Sequence, residues 1–260
     1  MSHAISIALI TKNEEASLRR TLLSVRWASE IVIVDNGSTD RTEAIAREFG
    51  AKFYAEEWKG FSAQKNSAIA KCSCDWVLSL DADEEVSAEL AEEIRALLAG
   101  SPAHDAYFIP RRNFFLGRWI RHGGYYPDPK LRLFRRGAAR FEDRAVHESM
   151  EAKGPVGRLK GHLIHHCYPT LDEYIEHMNR YSSAGAQMLV DSGRAGSSWA
   201  WLIWNAMLDP AVTFLYNYIF RLGFLDGRAG LLQHINHSAY IHWKFAKAWH
   251  GARRGGQAEV

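Results

Sequence analysis

The chain has 260 residues, of which 47% are hydrophobic, and a formal net charge of +2. This length and composition allow a buried core and exclude a disordered tail. The small charge and the absence of a long Lys/Arg run exclude nucleic acid as an expected partner. Three cysteines, an odd number without paired zinc spacing, fit a reducing compartment.

The first hundred residues alternate short apolar runs with helical patterns. The runs lie at residues 4–10, 31–34, 52–55 and 76–80 and have the length and branched side chains of strands. The first run begins without a basic leader or a cleavage site, so we expect no signal peptide and a cytoplasmic location. Strands that alternate with helices of about ten residues predict a parallel sheet with helices on both faces.

Acidic side chains follow three of these predicted strands. Asp81 and Asp83 come directly after the fourth strand, Asp35 ends the second, and Glu14 follows the first. Because parallel strands place their carboxyl ends at one edge, we expect these groups to converge there. Two carboxylates one residue apart suit Mg²⁺, which keeps waters and substrate phosphates as further ligands. Taken singly, each of these residues is better explained as part of a turn or as a helix cap, and their repetition at successive strand ends is what favours the metal-and-phosphate interpretation.

The same edge has groups suited to a nucleotide. Its carboxylates can accept hydrogen bonds from ribose hydroxyls or a base, and Gly37 allows the backbone to approach closely. Lys65 is a candidate contact to a diphosphate, although a lysine on a helix is more often solvated surface.

The pattern changes after about residue 105. Segments 106–111 and 131–134 have strand character, and the aromatic segment 113–130 between them is typical of a loop that covers a substrate. The run at 161–166 ends in His165 and His166. Imidazole can complete a metal shell, more readily for Mn²⁺ than for Mg²⁺, but a histidine at a strand end is also commonly structural.

The chain is predicted to be helical from residue 171 onward. Segment 199–224 is very apolar, but polar residues interrupt it and leave no uncharged run of ~18 residues for a membrane span. Five of the nine tryptophans lie between Trp199 and Trp249, and from Asp191 onward seven Lys/Arg face four Asp/Glu. This composition fits a segment at an anionic membrane surface, and equally a packed helical subdomain or a homo-oligomer interface. We therefore predict a catalytic domain at 1–170 and a helical region at 171–260.

Together these motifs resemble those of family 2 inverting glycosyltransferases, in order and over nearly the whole chain. The lipopolysaccharide inner-core β-glucosyltransferase branch is the most similar, because its Gly-Phe-Leu-Asp-Gly segment appears at Gly223 to Gly227. The other motifs that carry the resemblance are Thr11-Lys-Asn-Glu-Glu15, Ile33-Val-Asp-Asn-Gly-Ser-Thr-Asp40, Gly60-Phe-Ser-Ala-Gln-Lys-Asn66, residues 76–84 and Val146-His-Glu148.

The resemblance implies a GT-A-type, Rossmann-like sheet and an inverting transfer of a sugar, glucose from UDP-glucose, to a lipopolysaccharide core or other lipid-linked saccharide. It implies a peripheral position on the inner face of the cytoplasmic membrane. The implied metal is Mg²⁺ or Mn²⁺, held by Asp81, Asp83 and His165, with His166 as the alternative imidazole. The implied nucleotide-binding residues are Thr11, Asn13, Glu14, Asp35, Gly37, Lys65 and Asp81.

Sugar transfer develops negative charge on the leaving diphosphate, which a metal neutralises as a Lewis acid. A carboxylate must take the proton of the acceptor hydroxyl. Glu148, in the family's Val-His-Glu motif, is the expected base, and Asp143 is the alternative because other branches carry their base in a Glu-Asp pair.

Three other classes share some of these features. A sugar nucleotidyltransferase should have a Gly-rich phosphate loop after the first strand, which Thr11-Lys-Asn-Glu-Glu15 is not. An aspartyl-phosphate phosphatase could use Asp81 and Asp83, but the following Glu84-Glu85 disfavours it. A catalytically inactive membrane-binding protein with a GT-A-like fold is the third alternative.

Overall fold

The computed structural model describes residues 3–142 and 149–255, and the chain divides into two compact units. Unit 1 comprises Met1–Arg112 and Pro127–His166, and unit 2 comprises Asn113–Tyr126 and Cys167–Val260. Residues 113–126, predicted to belong to the catalytic domain, are grouped with the C-terminal helices in unit 2.

Unit 1 contains a seven-stranded sheet with the strand order β12-β6-β9-β4-β1-β2-β3. Every neighbouring pair is parallel except those of β9, which runs antiparallel to β4 and β6. The predicted mostly parallel sheet is thereby confirmed. The strands of this sheet are β1 (Ile5–Thr11), β2 (Glu30–Asp35), β3 (Lys52–Ala55), β4 (Trp76–Leu80), β6 (Ala106–Ile109), β9 (Lys130–Arg135) and β12 (Val156–Arg158).

Two small strand pairs and four helices complete unit 1. Strand β5 (Glu84–Val86) pairs with the first half of β13 (Leu163–Tyr168), and β10 (Ala139–Phe141) pairs with β11 (Met150–Ala152). The helices are α1 (Leu18–Ser24), α2 (Thr42–Glu48), α3 (Phe61–Ala70) and α4 (Ala88–Ala99). Helix α4 is capped at its N-terminus, because the Ser87 hydroxyl accepts the Leu90 N–H at 3.2 Å.

The central strands are buried on both faces of the sheet. Successive side chains of a strand point to opposite faces. Ile31 and Ile33 of β2 therefore join one hydrophobic cluster together with Leu22 of α1, while Val32 and Val34 join a second cluster. This arrangement explains why the strand sequences are continuously apolar instead of alternating, as expected for parallel strands covered by helices.

Unit 2 is built on two long helices, α5 (Leu171–Asp191) and α8 (Gly227–Gly255). Lys247 of α8 joins them, since its ammonium donates to the Asn179 side chain at 2.7 Å and to the Ser182 hydroxyl at 2.7 Å. Between them run α6 (Trp199–Leu202), the π-helical turn Ile203–Leu208, α7 (Asp209–Leu215), the π-helical turn Tyr216–Phe220 and a 3₁₀ turn at Gly223–Asp226.

The aromatic segment at residues 113–126 is held in unit 2 and is not a free loop as expected. Its strands, β7 (Arg111–Phe115) and β8 (Arg118–Trp119), form a hairpin. The buried Asp226 carboxylate accepts the backbone N–H groups of Arg121 and His122 at 3.1 and 2.8 Å. The backbone of this segment is therefore fixed by a buried charge-assisted contact.

Large apolar side chains are exposed along 203–220 in unit 2. Trp204 is 67% exposed and Phe220 is 76% exposed. No helix among residues 3–142 and 149–255 is long and apolar enough to cross a bilayer.

Candidate functional site

The carboxyl ends of β1, β2 and β4 lie side by side and bring the predicted residues to one edge of the sheet. Thr11 is in register with Asp35, and both are buried. The Thr11 hydroxyl donates to one Asp35 oxygen at 2.8 Å, while the Ser38 N–H donates to the other at 2.7 Å. Asp35 is thus held in one orientation at the end of β2.

The loop after β1 is locked to the loop after β2. Asn13 adopts a left-handed backbone with φ of 56°, and its side-chain oxygen accepts the Thr39 N–H at 2.8 Å. Gly37 also has a positive φ, of 72°, which favours glycine, and a side chain there would approach the Lys12 ammonium. Asn13 and Gly37 therefore shape the same corner of the sheet edge.

Glu14 lies close enough to the other carboxylates to feel their charge. Burial raises the pKa of Glu14, a hydrogen bond from Ser17 opposes that shift, and the negative charges of Asp83, Asp40 and Asp81 raise the pKa further. The strand register supports the predicted convergence, because it sets Thr11 beside Asp35 and Leu9 beside Leu80, so that Glu14, Asp35 and Asp81 lie at neighbouring strand ends. A cation entering this edge would relieve their mutual repulsion.

Asp81 is engaged by two cations. The Lys65 ammonium lies 2.7 Å from one carboxylate oxygen, and the Arg132 guanidinium contacts the other. Burial opposes ionisation, but the charges of Arg132 and Lys65 outweigh it and hold the pKa of Asp81 well below its usual range. Lys65 is 9% exposed, so it is not the solvated surface lysine that its helix position would suggest.

Sequence reasoning missed the buried ion network behind Asp81. Glu84 is fully buried, and one of its oxygens accepts from Arg111 at 3.0 Å and from Arg132 at 3.1 Å. Its other oxygen accepts the Asp81 N–H at 3.0 Å, and Arg111 also binds Asp128 at 2.8 Å. The available signal was the arginine within the apolar run Leu131-Arg-Leu-Phe134, since a basic residue inside a central strand needs a buried partner.

Asp83 faces a histidine. The His165 Nε2 lies 3.2 Å from an Asp83 oxygen, and the neighbouring His166 lies 3.4 Å from Glu85. In the pairing of β5 with β13, His165 lies opposite Glu84, and the His166 N–H donates to the Asp83 carbonyl at 3.1 Å. Of the two imidazoles left open by the sequence, the ring of His165 contacts Asp83 and the ring of His166 contacts Glu85.

The ligand atoms of Asp83 and His165 fit a divalent cation in part. One carboxylate and one imidazole suit Mn²⁺ well, whereas both oxygens of Asp81 are bound to cations. No group of three or more His, Cys, Asp or Glu side chains in the described portion of the chain has the arrangement of a metal site. Metal ligation by Asp81, Asp83 and His165 stays a prediction.

The two candidate bases, Asp143 and Glu148, lie outside the described residues. The chain just before them is anchored to α3. The Asn66 side chain donates to the Phe141 carbonyl at 2.8 Å and accepts the Phe141 N–H at 2.9 Å. The motif residue Asn66 thus fixes β10 beside the helix that carries Lys65.

A mostly parallel α/β sheet with acidic and basic side chains at its carboxyl edge is the arrangement typical of nucleotide-binding α/β proteins. Residues 6–151 match the family described as "Glycosyl transferase family 2". The chain belongs to this family.

Relatives of similar length support the assignment. The chain is 33% identical over 258 residues to the "Lipopolysaccharide core biosynthesis glycosyltransferase LpsC" of Rhizobium meliloti (strain 1021), covering 94% of this chain and 92% of that protein. It is 32% identical over 243 residues to an uncharacterized glycosyltransferase of Rickettsia typhi, covering 89% and 82% of the two chains.

A solved structure shares the fold. The mannosyltransferase PcManGT from Pyrobaculum calidifontis, determined in complex with GDP-Man and Mn²⁺, superposes with a TM-score of 0.53 at 14% identity, covering 95% of this chain and 87% of that one. The GT-A-type fold predicted from the sequence is confirmed.

Proposed function

We propose that this protein is a metal-dependent inverting glycosyltransferase that moves glucose from UDP-glucose to a lipopolysaccharide core or other lipid-linked saccharide. The observation that carries the proposal is the meeting of Asp35, Asp81 and Asp83 at one sheet edge beside Lys65. The relative LpsC is named for lipopolysaccharide core biosynthesis, and the fold neighbour PcManGT binds a nucleotide sugar with Mn²⁺.

The acidic and basic residues of the site have different roles in donor binding. Asp35, fixed by Thr11 and Ser38, presents carboxylate oxygens to the donor nucleoside. Asp83 and His165 would hold Mg²⁺ or Mn²⁺, which supplies Lewis-acid neutralisation of the leaving diphosphate when bound. The positive charge of Lys65 favours the same developing anion.

The acceptor oxygen attacks the anomeric carbon from the face opposite the diphosphate, and the bond from that carbon to the diphosphate breaks. Glu148 takes the acceptor's proton in this step, and Asp143 is the alternative base. Replacing each residue by its amide separates the two. We expect Glu148→Gln to lower turnover by about a thousandfold with donor binding intact. Loss of transfer in Asp143→Asn alone would reassign the base.

The donor is tested by thermal stabilisation. A ligand that binds only the folded protein raises the melting temperature by mass action. UDP-, GDP- and dTDP-glucose should be compared with and without Mn²⁺, and we expect UDP-glucose with Mn²⁺ to give the largest rise. Stabilisation by none of these donors, together with binding to lipid vesicles, would favour the inactive membrane-binding alternative.

We further propose that the protein works peripherally on the inner face of the cytoplasmic membrane through an apolar stripe in unit 2. Exposed positions recur in pairs every four residues along 203–220. An α-helix turns every 3.6 residues, so a spacing of four would drift around it. The wider π-helical turns at Ile203–Leu208 and Tyr216–Phe220 compensate for this drift. The stripe consists of Ile203, Trp204, Met207, Leu208, Ala211, Val212, Leu215, Tyr216, Ile219 and Phe220.

The charges around the stripe favour an anionic lipid surface over a second copy of the chain. Residues 192–255 contain seven Lys/Arg but only two Asp/Glu, and one of the two, Asp226, is buried. Arg194 and Arg228 are exposed on either side of the stripe in sequence. Apolar and aromatic residues flanked by cations are the composition of interfacial membrane segments.

Vesicle co-sedimentation tests this surface. We expect binding to vesicles with anionic lipid, weaker binding to zwitterionic vesicles, and partial release by salt because the cations contribute. A stable dimer in sedimentation velocity without vesicle binding would instead identify the stripe as a homo-oligomer interface.

A further inference from the structure

Asp81 lies in a network of buried charges. Lys65 and Arg132 contact Asp81, Arg111 and Arg132 contact Glu84, and Arg111 also contacts Asp128. Both oxygens of Asp81 are used in this network, and one oxygen of Glu84 serves two arginines. Each oxygen of Asp81 is therefore bound to a different cation, Lys65 on one oxygen and Arg132 on the other.

Arg132 has an unused donor within this network. Its side chain is 5% exposed and its terminal nitrogen contacts both Asp81 and Glu84. Its Nε has no hydrogen-bond partner among residues 3–142 and 149–255. A buried guanidinium N–H without an acceptor is costly, and a phosphate oxygen is the acceptor that a guanidinium binds best.

We infer that Lys65 and Arg132 form a diphosphate-binding subsite that works without a metal, and that Asp81 is its internal counterion instead of a primary metal ligand. The inference rests on the proposed function for the identity of the donor. In the nucleotide-free protein Asp81 neutralises Lys65 and Arg132. An entering diphosphate competes with Asp81 for Lys65 and Arg132. When the diphosphate takes over these two cations, the Asp81 carboxylate is released and can accept other contacts.

This exchange has a consequence that a metal-ligand role for Asp81 does not have. Removing the Asp81 charge leaves two cations with less negative charge nearby, so an anion should bind more strongly without metal. A primary ligand, in contrast, contributes to nucleotide binding only through the metal. In the presence of a chelator, removal of the Asp81 charge should therefore strengthen nucleotide binding if Asp81 is a counterion, and should not strengthen it if Asp81 is a metal ligand.

The test measures UDP and inorganic pyrophosphate binding by calorimetry to the full chain, in EDTA and then in Mn²⁺. We expect Asp81→Asn to bind both probes about tenfold more tightly than the unchanged protein in EDTA, as one charge-assisted contact is worth at least that factor. Arg132→Met should bind both about tenfold more weakly. The matched control is Arg135→Met, on the same strand but paired with Asp105 at 2.8 Å, which should change neither affinity.

A second variant keeps the test decisive if Asp81→Asn does not fold. Lys65→Met removes one competitor for Asp81. We expect it to weaken UDP binding in EDTA and to raise Mn²⁺ affinity of the nucleotide-free protein several-fold, measured from the electron paramagnetic resonance signal of free Mn²⁺. Unchanged or weaker Mn²⁺ binding would overturn the inference.

The outcomes separate this inference from the proposed function. UDP binding that requires Mn²⁺ and disappears in Asp81→Asn overturns the counterion role and leaves the glycosyltransferase proposal intact. If the variants change pyrophosphate affinity as expected but the protein does not bind UDP, the result supports the diphosphate subsite and contradicts a UDP-linked donor. Failure of both probes to bind in EDTA overturns the subsite.

Discussion

The two units depart from the usual distribution of side chains in opposite ways. Unit 1 buries charge, since Glu84 is fully buried and Arg132 nearly so. Unit 2 exposes apolar surface, since large side chains of the stripe at 203–220 face solvent. Buried charges and exposed apolar patches are the two informative exceptions to normal burial.

The comparison teaches that each unit is specialised for a different partner. Buried, paired ions hold their geometry and suit a small charged ligand, whereas an exposed apolar stripe suits an extended lipid surface. We therefore expect variants in unit 1 to change nucleotide chemistry and variants in the stripe to change surface binding.

The largest effect is expected at Asp83. We expect Asp83→Ala to lower turnover by about a thousandfold with any acceptor, because the leaving diphosphate loses charge neutralisation. Initial rates with a water-soluble acceptor fragment and with a membrane-presented acceptor measure this. Asp75→Ala, at the opposite end of the same strand and exposed, is the control. Unchanged turnover at saturating metal would exclude Asp83 as a metal ligand.

The next effect concerns stability in unit 2. Gly123 has a φ of +68°, and a Cβ there would lie 2.0 Å from the His234 ring. We expect Gly123→Ala to lower the free energy of unfolding by about 3 kcal/mol, from backbone strain and overpacking. Gly193→Ala, with a φ of +67° and no neighbour within 4 Å, isolates the strain alone. Equal losses in urea unfolding would show that the interior of unit 2 is loosely packed.

A smaller effect is expected for the stripe. We expect the double variant Trp204→Ser and Phe220→Ser to weaken vesicle binding by about thirtyfold, since roughly 2 kcal/mol of apolar burial is lost. Turnover of a water-soluble acceptor should not change. Leu23→Ser, an exposed apolar residue of unit 1, serves as the control for both measurements. If the double variant lost turnover equally with the water-soluble and the membrane-presented acceptor, the assignment of surface binding to the stripe and of catalysis to unit 1 would be wrong.

The smallest effect is a pH dependence in unit 2. The pKa of His234 is lowered to about 4, mainly by burial and also by His237, while Asp226 opposes the shift. A depressed histidine pKa means that the unfolded chain binds the proton first, so stability is full above pH 6.5 and falls as the pH drops from 6.5 toward 4. We expect a loss of about 1–2 kcal/mol in urea unfolding between pH 7 and pH 5.

His234→Phe is the matched variant for this pH dependence. It should lose much of the dependence, and His237, whose pKa burial also lowers, accounts for the remainder. An identical pH profile in the variant would remove His234 as the cause.

The sheet edge could be predicted from the sequence because its determinants are local. Apolar runs of strand length end directly at Asp35 and Asp81, and alternation with helices makes the strands parallel, which brings their carboxyl ends together. Thr11 and Asp35 meet through that rule alone. The helical character of the chain from residue 171 onward was also predicted, although the bounds of the individual helices were not.

Only the tertiary structure decided which side chains pair across long separations. Arg132 reaches Asp81 over 51 residues because β9 inserts antiparallel beside β4, and no local pattern specifies that insertion. The grouping of residues 113–126 with α8 likewise depends on the buried Asp226 carboxylate. Sequence periodicity fixes which elements form and which face is apolar, but the partner of a buried charge is chosen by packing in three dimensions.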